Sequence, residues 1–266
     1  MIDQLDSQLS QIKKALEGRT ANTNKLADEG RGLLSNTDTQ SNGLARAYYR
    51  FNLADKRLMA AVASKLNPLR GDNNEVVVIS AVDYAELYRV DSTNVYREVK
   101  AAAKRLIRNP IINMVDGDEK ENPFLIEALY KPKSGQVECI VNPMLKRELE
   151  LLQKHFSSYD LAIAAEFKSV YTWRMFELLC SWAKPRSQTN GVLAGWFQIE
   201  KAELRKILGV AAGYNQGQFQ KSVIDSSIKE LKLKADLLVR FKPVLSGKTI
   251  THYKVDFIQN EQITLI

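Results

Sequence analysis

The apolar residues of this chain spell the same order of elements twice: a long one-sided helix, a short helix, a turn, a second helix with a basic outer face, and a two-stranded hairpin. The first copy runs roughly from Phe51 to Asn142, the second from Leu161 to Ile258. That order describes a winged helix. The expected fold is therefore α+β: two tandem winged-helix domains joined by a helix, preceded by a flexible N-terminal arm. The expected boundaries are 1–45 for the arm, 46–150 for the first domain and 151–266 for the second.

Composition fits that division. With 266 residues, 45% of them hydrophobic, the chain has enough apolar material for two modest cores. A formal charge of +7 favours an anionic partner, either nucleic acid or an acidic membrane surface. No apolar run approaches the ~20 residues needed to cross a bilayer, and the amino terminus lacks the charged-then-apolar layout of a signal peptide, so no membrane is expected and a cytoplasmic location is. Two cysteines, Cys139 and Cys180, are too few for a disulfide framework or a zinc cluster. Segment 20–43 is rich in Asn, Thr, Ser, Gly and Asp and poor in large apolar residues, which reads as a flexible arm. Ahead of it, Ile2, Leu5, Leu9, Ile12 and Leu16 recur at helical spacing, as in a short helix that docks, frays or binds a partner.

In the first copy Leu58, Ala61, Val62, Lys65 and Leu66 mark a one-sided helix stopped by Asn67-Pro68. Val76–Ile79 reads as a strand, and Ser80 as the cap of a helix Val82–Tyr88. After the turn, Asp91 or Ser92 caps a second helix that ends near Arg108. Its inner face is Val95, Val99, Ala102, Ala103 and Leu106; Thr93, Asn94, Arg97, Lys100, Lys104 and Arg108 fall outside. Asn and Arg can pair with base edges in a major groove and lysines can reach phosphates, although a solvated basic helix would look the same. Strands Ile111–Val115, Phe124–Tyr130 and Val137–Asn142 follow, with Lys133 in the Lys131–Gly135 turn at a basic wing tip. A connecting helix from Pro143 to about Leu161 turns Leu145, Leu149 and Leu152 to one side and carries His155 near its end, where a surface or packing role is expected.

The second copy opens on Phe167-Lys168-Ser169-Val170-Tyr171-Thr172-Trp173-Arg174-Met175-Phe176-Glu177-Leu178-Leu179. This stretch resembles the signature helix of the iteron-type plasmid replication initiators, in which Ser, Tyr and Arg at these spacings precede an aromatic-Glu-Leu-Leu run. The preceding His155–Leu161 is similar to the family's lead-in. Ile199–Gly209 resembles the first helix of its C-terminal helix-turn-helix, with Gly209 as the stop. Tyr214 and Phe219–Ile224 fit the start of a recognition helix that closes at Ile228–Leu231. Val223, Ile224, Ser227, Ile228 and Leu231 then face inward, and Gln218, Lys221, Ser222, Asp225 and Lys229 outward. The hairpin Leu237–Lys242 and Ile250–Phe257, with Lys248 in its Pro243–Thr249 connection, resembles the closing wing. The likeness spans about residues 46–258. It departs from the family at Lys232, where many relatives end the helix with Asn, and at Gln220, where a basic residue is common.

The resemblance implies an initiator that binds direct repeats at a plasmid origin and an operator in duplex DNA, promotes local opening, recruits the host replication initiator and helicase machinery, and represses its own gene as a dimer formed through the first domain. The DNA-binding candidates are Thr93, Asn94, Arg97, Lys100, Lys104, Lys133, Ser169, Arg174, Gln218, Lys221, Ser222 and Lys248. Arg174 carries two readings, a pin inside a core helix or a phosphate contact. A dedicated winged-helix repressor without initiating activity is the alternative, and a protein-binding scaffold is a third. No catalytic residue, metal or cofactor is expected. Ser246-Gly247-Lys248-Thr249 echoes a phosphate-binding loop but lies between two strands. The two histidines, His155 and His252, are too far apart for the paired-histidine metal site of a tyrosine nicking enzyme.

Overall fold

The structure, a computed structural model, describes residues 44–66, 76–115, 117–145, 163–184 and 192–260. The N-terminal arm up to residue 43, the expected helix over 1–16, the expected joining helix beyond Leu145 and His155 lie outside the described residues, whereas Leu44 and Ala45, expected in the arm, are buried.

Helix α1, Leu53–Lys65, begins at a capping box. The Asn52 side chain accepts from the Asp55 backbone (3.0 Å), and the Asp55 carboxylate accepts from the Asn52 backbone (3.1 Å). Strand β1, Val76–Ser80, leads directly into α2, Ala81–Tyr88, with Ser80 as the cap and Arg89 in the left-handed conformation at its end. A single 3₁₀ turn, Ser92–Asn94, opens α3, Val95–Arg108, whose inner face is the expected Val95, Val99, Ala102, Ala103 and Leu106. Asp91 caps the 3₁₀ turn: one carboxylate oxygen accepts from both the backbone N–H (2.8 Å) and the hydroxyl (2.7 Å) of Thr93.

The first domain has more strands than its apolar pattern suggests. Pro110–Val115 (β2) pairs with Asp118–Pro123 (β3) as a separate ribbon turned at Gly117, while Leu125–Lys131 (β4) and Gln136–Val141 (β5) form the wing. Strand β3 reads DEKENP, with no apolar alternation to betray it; backbone pairing to β2 alone makes it a strand. The main sheet is antiparallel in the order β1-β5-β4, with Val77 opposite Cys139 and Tyr130 opposite Val137.

The second domain repeats this plan. Helix α4, Val170–Ser181, is capped by Ser169; β6, Ala194–Glu200, leads into α5, Lys201–Ile207; the wing is β7, Leu237–Ser246, with β8, Thr249–Gln259. The sheet order β6-β8-β7 matches the first domain strand for strand. Strand β6 was not anticipated, although Phe197 and Ile199 are buried and Trp196 is exposed, as alternation requires. The recognition element is one helical rod in three parts: α6, Gln216–Gln218, a π-helical stretch Phe219–Asp225, and α7, Ser226–Ala235. It runs past the expected close at Leu231 and stops at Asp236, whose φ of 49° supplies the left-handed stop. Lys232 is thus an interior helix residue, which removes the need for Asn there. The wing connection is also shorter than expected: β7 continues through Pro243, tolerated on an edge strand, and only Gly247 and Lys248 turn the chain.

The two domains share one buried core. Helix α4 packs along α7, and across the junction the Tyr88 ring lies 6.2 Å from that of Trp173. Glu166 accepts from Lys234 (2.9 Å) and lies 3.4 Å from Arg89 of the first domain.

Candidate nucleic-acid interface

The recognition helix of the first domain presents what its periodicity predicts. Thr93, Asn94, Arg97, Lys104 and Arg108 are exposed, whereas Lys100 is half-buried with its ammonium 5.0 Å from the centre of the Tyr130 ring. Arg105, on the same helix, is held instead: its Nε donates to Asp55 at 2.7 Å and ties α3 to the capping box of α1. Burial raises the pKa of Asp55, and the hydrogen bonds from Asn52 and Arg105 oppose that shift. Thr93 has its hydroxyl proton committed to Asp91 and keeps only acceptor capacity toward DNA. Lys133 is exposed at the β4–β5 wing tip, where Gly135 takes φ of 65° and Lys131 is paired with Glu138.

In the second domain Lys221 and Ser222 are exposed inside the π-helical stretch. A π turn widens the helix and re-aims its side chains, a feature that concentrates at functional positions. Its neighbours are fixed by the wing. Tyr253 of β8, almost fully buried, accepts from Gln216 (3.0 Å) and donates to Gln220 (3.5 Å), while Gln220 donates to Asp225 (2.8 Å). The Gln220 departure therefore belongs to a chain of hydrogen bonds that holds the rod to the wing. Gln218 is exposed, but its side-chain oxygen accepts from the Asn215 backbone at 2.9 Å in a capping box. Arg205 pins the turn ahead of the rod, donating to the carbonyls of Tyr214 (2.7 Å) and Ala211 (3.4 Å), and stacks 4.9 Å from the Phe219 ring. Lys248 is exposed at the β7–β8 tip, beside Gly247 at φ of 59°. The Ser246–Thr249 stretch is that hairpin tip and opens no helix.

One candidate changes role. Arg174 is 1% exposed and cannot reach a phosphate. Its guanidinium donates to the carbonyls of Ala47 (2.7 Å), Leu44 (3.5 Å) and Ile207 (3.1 and 3.0 Å), to the Tyr49 hydroxyl (2.6 Å) and to Glu177 (3.0 Å). Of its two readings, the pin inside a core helix is the one realised. Ser169 caps α4, its half-buried hydroxyl accepting from the Tyr171 backbone N–H (3.2 Å) and keeping its own proton to donate.

Residues that hold this surface in place left no signal in the sequence. Asp55 and Lys56 are charged yet buried, and Gly209 looks like an ordinary helix stop. Gly209 takes the left-handed φ of 66° that a helix stop uses, and in addition a Cβ there would lie 2.6 Å from the Tyr49 carbonyl oxygen. The turn after α5 therefore lies close against the backbone of segment 44–51.

No helix among the described residues is long and apolar enough to cross a membrane. Two family models match in order: "Initiator Replication protein, WH1" over residues 38–180 and "Initiator Rep protein, WH2" over residues 200–257. A protein of Escherichia coli described as "Uncharacterized 27.6 kDa protein" is 23% identical over 224 residues, covering 79% of this chain and 90% of that one. The crystal structure of the Pi initiator protein in complex with iteron DNA superposes with a TM-score of 0.64 at 18% identity, over 83% of this chain and 94% of that chain, and shares the fold. With both winged-helix models matched across more than half of its length, the chain belongs to the replication initiator family that its signature helix resembles.

Proposed function

We propose that this DNA-binding replication initiator engages short direct repeats at a bacterial plasmid origin, with both winged helices on one repeat. The observation that carries the reading is the duplicated presentation. Each domain exposes a basic recognition helix, centred on Arg97 and on Lys221, together with a lysine-tipped wing, Lys133 or Lys248. In the Pi structure a protein of the same fold is bound to iteron DNA, which supports the same mode of engagement here. The helices enter major grooves, and the wings grip phosphates and set the register. Asn94, Arg97, Lys104, Lys221 and Ser222 are the groove-facing set; Lys100, Lys133 and Lys248 are backbone contacts; Thr93 and Gln218 act chiefly through their caps.

Copies arrayed on repeats strain an adjacent AT-rich segment, where flexible steps make opening least costly, and recruit the host initiator and helicase in the cytoplasm. Self-association with repression of the protein's own gene belongs to the same proposal. Its surface is the outer edge of β1, a short uncharged strand that pairs with another strand on one side only among the described residues, with Val76 and Val78 exposed and the Val78 carbonyl accepting from Lys65 at 3.1 Å.

The test is binding of the full chain to duplexes carrying the direct repeats that flank its gene, against scrambled duplexes, as a function of salt. Sequence-selective binding by monomers, with log affinity falling against log salt at a slope of magnitude ~5 or more, supports the reading. Binding only as a dimer to an inverted repeat favours the dedicated repressor, and a flat salt response removes DNA as the partner.

A further inference from the structure

Segment 44–51 is a strap between the domains. On one side Tyr48 exchanges both backbone hydrogen bonds with Ile112 of β2 (2.8 and 2.9 Å). On the other, Arg46 reaches the carbonyl (3.0 Å) and hydroxyl (3.3 Å) of Ser181 at the end of α4, with its guanidinium 4.0 Å from the centre of the Trp182 ring. Under the strap lies a closed polar network. Lys56 of α1 pairs with Glu177 of α4 and donates to the Tyr49 hydroxyl at 3.2 Å; Arg174 of α4 donates to the same hydroxyl and to the same carboxylate. Arg174 also holds the Ile207 carbonyl at the end of α5, the first helix of the second helix-turn-helix. One carboxylate and one phenol thus sit between a cation from each domain, all of them buried.

Such a network is a poor source of stability, because desolvating the charges offsets most of their attraction. Its distinguishing property is direction. Apolar side chains accept many packings of similar energy, whereas paired hydrogen bonds accept one geometry. Because the network links α1, the strap, α4 and α5, that geometry is the angle between the two helix-turn-helix units.

We propose that the buried Lys56–Glu177–Arg174–Tyr49 network sets the angle between the two recognition helices, and thereby the spacing and helical phase of the two DNA segments that one copy reads. The inference rests on the reading that both domains engage one repeat. Lys56, Glu177, Arg174 and Tyr49 are on this account positioning residues, with no contact to DNA of their own.

A duplex insert supplies the readout. One base pair added between the two contacted segments shifts the second by about 3.4 Å and rotates it by about 35°. The full chain first selects its repeat from a random-sequence duplex pool, and affinity is then measured on that repeat with none, one or two base pairs inserted at its centre. The wild-type chain is expected to lose roughly 100-fold on a single insertion, as one domain's contacts are forfeited. Lys56→Met and Tyr49→Phe are expected to bind the uninterrupted repeat somewhat more weakly and to reduce the insertion loss to under roughly tenfold, because a loosened junction follows the displaced segment. A merely stabilising role would lower the melting temperature and leave the insertion loss unchanged. If Lys56→Met does not fold, Tyr49→Phe, which removes one hydroxyl and keeps the ring, decides alone. A folded variant with the wild-type insertion loss overturns the proposal while leaving the two-domain reading intact. A wild-type chain indifferent to insertion overturns both.

Discussion

At the scale of single residues, charge alone does not say whether a side chain meets DNA or the core. Arg97 and Lys221 lie on helix faces whose opposite sides are apolar, so their exposure follows from periodicity. Arg174 also lies on a helix, but α4 is buried nearly all round, including Thr172 and Glu177, and periodicity has no outer face to offer. Arg174→Ala should therefore cost about 3–5 kcal/mol of folding stability, by leaving the buried Glu177 with one cation fewer, and denaturant unfolding would measure it. An unchanged midpoint would return Arg174 to the surface. Lys221→Ala should leave the melting temperature in place and weaken binding to the selected repeat by about 1–3 kcal/mol, with a smaller loss on random duplex, as titrations on the two duplexes would show. Equal loss on both would make Lys221 a phosphate contact.

At the scale of elements, helices with one apolar face and strands with alternating burial were legible, β6 excepted, and elements held by pairing or backbone geometry were not. Strand β3 and the π-helical stretch of the recognition rod are of the second kind. So is the contact that the turn after α5 makes. Gly209 adopts φ of 66° and meets the strap backbone, whereas Gly213, four residues on, has open space where a Cβ would go. Gly209→Ala should cost at least about 2 kcal/mol, from the left-handed conformation together with displacement of the Tyr49 carbonyl. Gly213→Ala should be close to neutral. Paired thermal melts test the contrast, and equal effects would mean that strap and turn do not touch. Asn52→Ala, which removes half of the capping box of α1, should cost about 1 kcal/mol by the same measurement.

At the scale of the whole molecule, the two winged helices are one body because aromatic and charged groups from both are buried at their junction. Burial raises the phenol pKa values of Tyr49, Tyr84 and Tyr88 above the ordinary value of 10.0, against the lowering effect of the nearby cations. In the folded chain these phenols keep their protons at pH values where the unfolded chain loses them. Their contribution to stability is therefore fully present below about pH 10 and is lost as pH rises beyond it. Melting temperatures between pH 8 and 11 should be level at first and then decline, with Tyr88→Phe flattening the decline; a level profile to pH 11 would contradict the burial of these rings. By itself the sequence determined the doubled winged-helix plan, the basic outer faces and the signature helix, because periodicity, charge and local motif are properties of neighbours along the chain. Only the tertiary structure decided that Arg174 and Lys56 are buried partners rather than surface cations, that Gln218 and Ser169 act as caps, and that a strap locks the two domains together. Those outcomes depend on groups as far apart in sequence as Ala47 and Arg174, whose meeting no local pattern encodes.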